Sequence, residues 1–263
     1  LTAPACGASG SDESGLRTTT GSNSDTASSA RIGGDVARRK VNVVKNQVFV
    51  GLPWRNVRPR YEKCIDKLEQ KYPLYFTIVG RKDAQDAEDL LQVITNRIDT
   101  SSYGIFDATG GNANVSLEYG YAEAVDLPRA LYLSTHKSAT GSKGGTIISD
   151  LGGKRRVEYK NEQSLRSRLD AFCKDHDYTK RFESFLQKRV RAIKRGEKKR
   201  QRTLALKLVH YLDGKAKARR ADMVQSLQAS NYSERETSGM LTKLHKEGLL
   251  SVSRGRFSDV RIS

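Results

Sequence analysis

The stretch that decides the fold is "YGIFDATGGNANVSLEYGYAEAVD", residues 103–126. It opens on an apolar run ending at Asp107, crosses a loop of Gly, Ala and Asn, and continues at helical spacing. A strand that passes through a short loop into a helix is half of a βαβ unit, the element from which parallel sheets are built. Near the start of that helix, among apolar neighbours, stands Glu118. That residue sets the functional question.

Working outward, the same alternation repeats on both sides. "QVFVGLPW" (47–54) reads as a strand ending in a Gly-Pro turn, and "RPRYEKCIDKLEQKY" (58–72) as a helix with Tyr61, Ile65 and Leu68 on one face. "LYFTIVG" (74–80) is a second strand, and "AEDLLQVITNRI" (87–98) a second helix that aligns Leu90, Leu91, Ile94 and Ile98. The opening stretch supplies a third strand and helix. "RALYLST" (129–135) and "RRVEYK" (155–160) follow as strands, and "EQSLRSRLDAFCKDH" (162–176) closes the unit with a helix. Strands that are apolar almost throughout, alternating with helices, indicate a parallel sheet covered on both faces. The crossover rule then leaves an α/β fold, a doubly wound parallel sheet of about five strands in flavodoxin-like order.

The flanks differ from this unit. Residues 1–45 are dominated by Ser, Thr, Gly and Ala and are expected to be a disordered tail, because they cannot bury enough apolar surface to offset their ordering entropy. The "ARRK" at 37–40 is read as a solvated hinge. After the α/β unit (46–178), residues 179–202 read as a basic linker helix with an apolar stripe at Phe182, Phe185, Leu186, Val190 and Ile193. Residues 203–263 then form a small unit: helices at 203–214 and 219–230, and a third at 231–250 whose Ser233 and Glu236 stand at capping-box spacing. A hairpin around Arg254-Gly255-Arg256 ends the chain. Three helices and a basic hairpin resemble a winged helix-turn-helix domain. In that family the third helix enters the major groove, here with Arg235, Thr237, Ser238 and Lys243, while the wing brings Arg254 and Arg256 to the backbone or the minor groove. The alternative is a winged helix used for protein contacts.

Charge supports the nucleic-acid reading. The formal net charge is +17 over 263 residues, and residues 179–263 hold 22 Lys and Arg against 8 Asp and Glu. DNA or RNA is therefore the expected partner of 179–263. Cys6, Cys64 and Cys173 are widely spaced with no C-x-x-C, which argues against a disulfide framework or a zinc site and points to the cytoplasm. No apolar run reaches the ~20 residues that cross a bilayer, so no membrane partner is expected. A homo-oligomer is left open.

In open parallel sheets, ligands bind beyond the carboxyl ends of the strands, where strand order reverses. Flavodoxin-like order makes strands one and three neighbours, so "GLPWR" and "DATGGNANVSLE" should flank one crevice. Gly51, Leu52, Pro53 and Trp54 would form one wall, with Trp54 as a stacking face for a base. Asp107 would accept hydrogen bonds from sugar hydroxyls. Gly110 and Gly111 permit a tight loop, and Asn112 or Asn114 can cap the helix, whose free amides favour an anion. Glu118 lies one turn after Asn114. There it can meet a ribose or stabilise an oxocarbenium-like state during N-glycosidic cleavage. The plain alternative is a half-exposed Glu118 paired with a nearby Arg.

"VFVGLPW", "IDTSSYGIFDATGGNANVSLEYGYA" and "IISDLGGKRRVEY" together resemble the superfamily that joins nucleoside 2-deoxyribosyltransferases with Toll/interleukin-1-receptor-like (TIR-like) domains, over about residues 46–175. The resemblance implies Glu118 as the catalytic carboxylate, Asp107 as a sugar contact, and Gly51 with Trp54 as the base-side wall. It implies no tightly bound cofactor, with NAD or another nucleotide as substrate or ligand, and a setting such as bacterial defence. The Trp-Cys pair common before the glutamate of catalytic TIR domains is replaced here by "NVSLE". Two functions follow as expectations: an enzyme cleaving or transferring an N-glycosidic bond of NAD or a nucleoside derivative, or a non-catalytic, nucleotide-responsive DNA-binding regulator.

Overall fold

The computed structural model describes residues 42–54, 57–79, 90–136, 151–190, 195–253 and 258–263. The expected tail lies outside these residues except at its end, where Val44 and Lys45 already belong to the first strand.

Five strands form the parallel sheet: β1 (Val44–Gly51), β2 (Tyr75–Thr77), β3 (Ser101–Asp107), β4 (Arg129–Ser134) and β5 (Arg156–Tyr159), in the order β2-β1-β3-β4-β5. This is the flavodoxin-like order. The chain leaves β1 to one side for β2 and returns to the other side for β3, so the reversal falls between β1 and β3. Their register pairs Val48 with Tyr103 and Gly51 with Phe106, which sets the two strand tips level.

The period-two alternation of β1 explains why both faces are covered. Val48 and Val50 point into one core with Tyr61, Ile65 and Leu68 of α1 (Arg58–Glu69) and Leu165 and Leu169 of α4 (Glu162–Asp175). Phe49 points the other way, into a second core with Ile98 of α2 (Leu90–Thr100), Phe106, and Val115, Tyr119 and Ala122 of α3 (Ala113–Ala124). Helix starts follow local chemistry. Pro59 fits the first turn of α1, where its missing N–H costs nothing, and Asn161 with Ser164 closes a capping box at α4.

Of the linker helix expected over 179–202, the described residues form α5 (Asp177–Val190) and the start of α6 (Arg195–His210), and residues 191–194 lie outside the described ones. Helix α6 runs on through the helix expected at 203–214. Beyond it come α7 (Arg220–Gln228), α8 (Glu234–Lys246) and an antiparallel three-stranded sheet in the order β6-β8-β7 (β6 Ala218–Arg219, β7 Leu250–Val252, β8 Asp259–Ile262). The Ser233–Glu236 capping box forms as spaced. Specific bonds fasten this C-terminal part to the α/β unit, at the connection between α1 and β2. Tyr178 donates to the Leu249 carbonyl at 3.0 Å, and Arg202 joins both Glu183 oxygens (2.6 and 2.7 Å) to the Lys71 carbonyl (3.0 Å). The His210 ring spans two acceptors, Asp213 at 2.8 Å and the Tyr72 carbonyl at 3.0 Å, so both ring nitrogens donate. The first core accordingly runs without a break from Val48 to Phe182, Leu208, Leu244 and Val260.

Among the described residues no helix is long and apolar enough to cross a membrane, and no cluster of His, Cys, Asp and Glu could hold a metal ion. Cys64 and Cys173 are buried free thiols.

Candidate functional site

The site is built from the two level strand tips and the helix that follows β3. Gly110 (φ 78°) and Gly111 (φ 63°) occupy the left-handed region, which glycine enters without a Cβ penalty. Their turn delivers the chain to Asn112, whose Oδ1 accepts from the amides of Asn114 (2.9 Å) and Val115 (3.3 Å). Asn112 is thus the cap of α3, and Asn114 is left exposed one residue inside the helix. Val115, Tyr119 and Ala122 turn toward the sheet, which places Glu118 on the flank of the helix nearest β1.

There it packs over a strand with no side chain in the way. A Cβ on Gly51 would collide with Oε2 of Glu118 and stand 2.9 Å from the Phe106 ring. Glycine at this position lets the carboxyl lie against the β1 backbone. Oε2 is buried with no hydrogen-bond partner, an exceptional state for a carboxyl oxygen. Burial pushes the Glu118 carboxyl up to about 7. The alternative of an ion pair with a nearby Arg does not hold among the described residues.

Glu118 lines a cavity of about 1040 Å³. Leu52, Pro53 and Trp54 come from the β1 tip, and Thr109, Gly110, Asn112 and Asn114 from the β3–α3 turn. Trp54 is 59 % exposed and carries the Arg58 guanidinium 4.6 Å above its ring. Gly51 stands behind Glu118, and Gly111 shapes the turn, both outside the lining. Sequence reasoning missed the third wall, α2, which contributes Leu90, Leu91, Ile94 and Thr95, and it missed Tyr121, which donates from the cavity edge to Asp99 at 3.0 Å. The signal was available. Adjacent Leu90 and Leu91 make the apolar face of α2 too wide for the sheet alone to cover.

Asp107 needs a correction. It is fully buried, and its oxygens are already engaged: Oδ2 accepts from Tyr61 and Tyr159 at 2.8 Å each, and Oδ1 from the Thr109 amide at 2.9 Å. Burial raises this carboxyl, against the opposing pull of hydrogen bonds from Thr109, Tyr159 and Tyr61. It does not line the cavity. Its contacts fix the β3–α3 turn instead of reaching a sugar.

In the C-terminal part, Arg235 and Lys243 are exposed on α8 and Ser238 is half-buried. Thr237 is fully buried, which corrects its expected place at a nucleic-acid surface. Helical spacing puts it in line with Met240, Leu241 and Leu244, the stripe that faces the core. Arg254 and Arg256 lie outside the described residues. A groove that sequence reasoning did not assemble brings Arg219, Arg220 and Gln225 of the β6–α7 segment beside Ser238 and Ser258.

No family model matches the chain, and no curated protein matches it. Among solved structures, it is similar to the 2-desoxiribosyltransferase from Leishmania mexicana, with a TM-score of 0.34 and 13% identity over 48% of this chain and 97% of that one.

Proposed function

We propose that the chain binds a nucleoside in this cavity and cleaves or transfers its N-glycosidic bond, with Glu118 acting at the anomeric carbon. The observation that carries the reading is Glu118, half-buried on the wall of a large cavity at the reversal point of the sheet with its Oε2 buried and without a hydrogen-bond partner. Leaving a buried carboxyl oxygen without a donor costs stability, and such costs concentrate at functional sites. In its ionised form a Glu118 oxygen attacks C1′, the C1′–N bond breaks, and the base departs with the bonding pair and takes up a proton. Water or a second base then attacks C1′ and releases the carboxylate. Positive charge developing on the sugar favours ionised Glu118, which gives the residue a stronger interaction in the transition state than in the ground state. Trp54 offers the base a stacking face, and Asn114, one helical turn before Glu118, can meet the sugar. NAD contains the same class of bond and is included as a candidate.

We extend the proposal to the C-terminal part, as a winged-helix module that holds nucleic acid. The exposed Arg235 and Lys243, the groove at Arg219 and Arg220, and the excess of basic residues after Thr179 support it.

One observation favours a second reading, binding without turnover. Among the described lining residues no histidine, cysteine or second carboxyl stands beside Glu118 to move a proton. Incubating the full chain with NAD, ribonucleosides and 2′-deoxynucleosides, read by mass spectrometry for products and for retained ligand, separates the two. Base release supports the enzyme, retention without product supports the sensor, and neither outcome on any compound removes both.

A further inference from the structure

The cavity is asymmetric. Most of its polar groups, Thr109, Asn112, Asn114 and Glu118, gather on the β3–α3 side, where the proposed function seats the sugar, while Thr95 of α2 turns its hydroxyl back onto the Leu91 and Gln92 carbonyls. The opposite wall is α2 with Leu90, Leu91 and Ile94, and Leu117 and Trp54 complete an apolar rim. Its volume of about 1040 Å³ stands at the upper limit of the roughly 300–1,000 Å³ that drug-sized ligands occupy, and a bare nucleoside is smaller than those.

Exposure supports the same conclusion. The large apolar side chains that stand most open among the described residues are Val43 at 41%, Trp54 at 59%, Leu90 at 54%, Leu91 at 55% and Leu117 at 64%. All but Val43 line this one cavity. In a chain of net charge +17 and mean hydropathy −0.63, apolar side chains left open together, around a concavity, mark a surface that a ligand covers. They come from three separate elements and converge on an interior space, which suits a small ring system better than the flat face of a protein.

Resting on the nucleoside reading above, we propose that the ligand carries an apolar, ring-sized substituent on its base, seated among Leu90, Leu91, Leu117 and Trp54. The polar end holds the sugar against Glu118, and the apolar half selects the substituent.

Titration calorimetry with the full chain tests this, using 2′-deoxyadenosine against its N6-benzyl derivative and 2′-deoxyuridine against its 5-phenyl derivative. At least one substituted probe should bind about tenfold or more tightly than its parent, the scale expected for burying an aromatic ring. In Leu91→Ser and Leu117→Ser, both open to solvent and so compatible with folding, that ratio should fall to about twofold or less. Equal binding of parent and substituted probes by wild-type protein overturns this inference and leaves the nucleoside reading standing. Failure of all the probes to bind overturns both. A preference that survives both Ser variants overturns the placement of the substituent.

Discussion

Replacing Glu118 with Gln keeps the shape of the side chain and removes its charge, so the structure fixes how the variant should differ from wild type as pH changes. The Glu118 carboxyl lies at about 7 in the folded chain against an ordinary 4.5, because burial opposes ionisation. The folded state therefore holds this proton more tightly than the unfolded chain does. The associated stability is fully present below about 4.5 and is lost as pH rises through about 7. Each tenfold change in proton affinity is worth about 1.4 kcal/mol, so complete loss would be roughly 3 kcal/mol. Partial contact with solvent reduces this to about 2 kcal/mol. Gln mimics the protonated form at every pH. Its stability relative to wild type should therefore climb by about 2 kcal/mol between pH 5 and pH 9, or some 4–8 °C in Tm for a chain of this size. Thermal unfolding followed by circular dichroism in matched buffers at pH 5, 7 and 9 reads the difference directly. A difference that does not change with pH would refute the reasoning, because it would mean that Glu118 ionises like a surface carboxylate.

Gly51→Ala places a methyl group against the Glu118 carboxyl and the Phe106 ring, so base release should drop at least tenfold while Tm falls by a few degrees; unchanged activity would separate Gly51 from the site. Asp107→Asn leaves one of three hydrogen-bond donors without its acceptor and should cost about 1–3 kcal/mol in urea unfolding, whereas a fall in activity at unchanged stability would return Asp107 to a direct ligand role. For nucleic acid, affinity measured by fluorescence anisotropy should fall steeply between about 50 and 200 mM salt, and Arg235→Ala with Lys243→Ala should flatten that slope. Thr237→Val should leave it unchanged, and a salt-independent affinity would contradict the assignment.

Much of the α/β unit was legible because buried parallel strands write themselves as near-continuous apolar runs, and helices 58–72 and 162–176 carry one clear face each. The crevice was legible for a related reason. Strand order fixes which tips are neighbours, and Gly51 and the 110–111 turn had no other evident use. What failed were questions of facing. Asp107 and Thr237 were assigned outward on chemistry, yet β3 turns Asp107 toward Tyr61 and Tyr159, and α8 turns Thr237 toward its apolar stripe. A short polar residue reads alike in sequence on either side of an element, and only its spacing from buried neighbours distinguishes them. The α2 wall was missed because an apolar helix face reads first as core.

The central claim is that the Glu118 carboxyl acts on the bond between a sugar and its base. It is tested most directly by comparing wild type with Glu118→Gln, measuring nucleoside affinity by calorimetry and base release by mass spectrometry on the same samples. The account predicts affinity within about threefold of wild type and base release reduced by about 10³-fold or more, as expected when an interaction made in the transition state is removed. Base release by the Gln variant at the wild-type rate would contradict it.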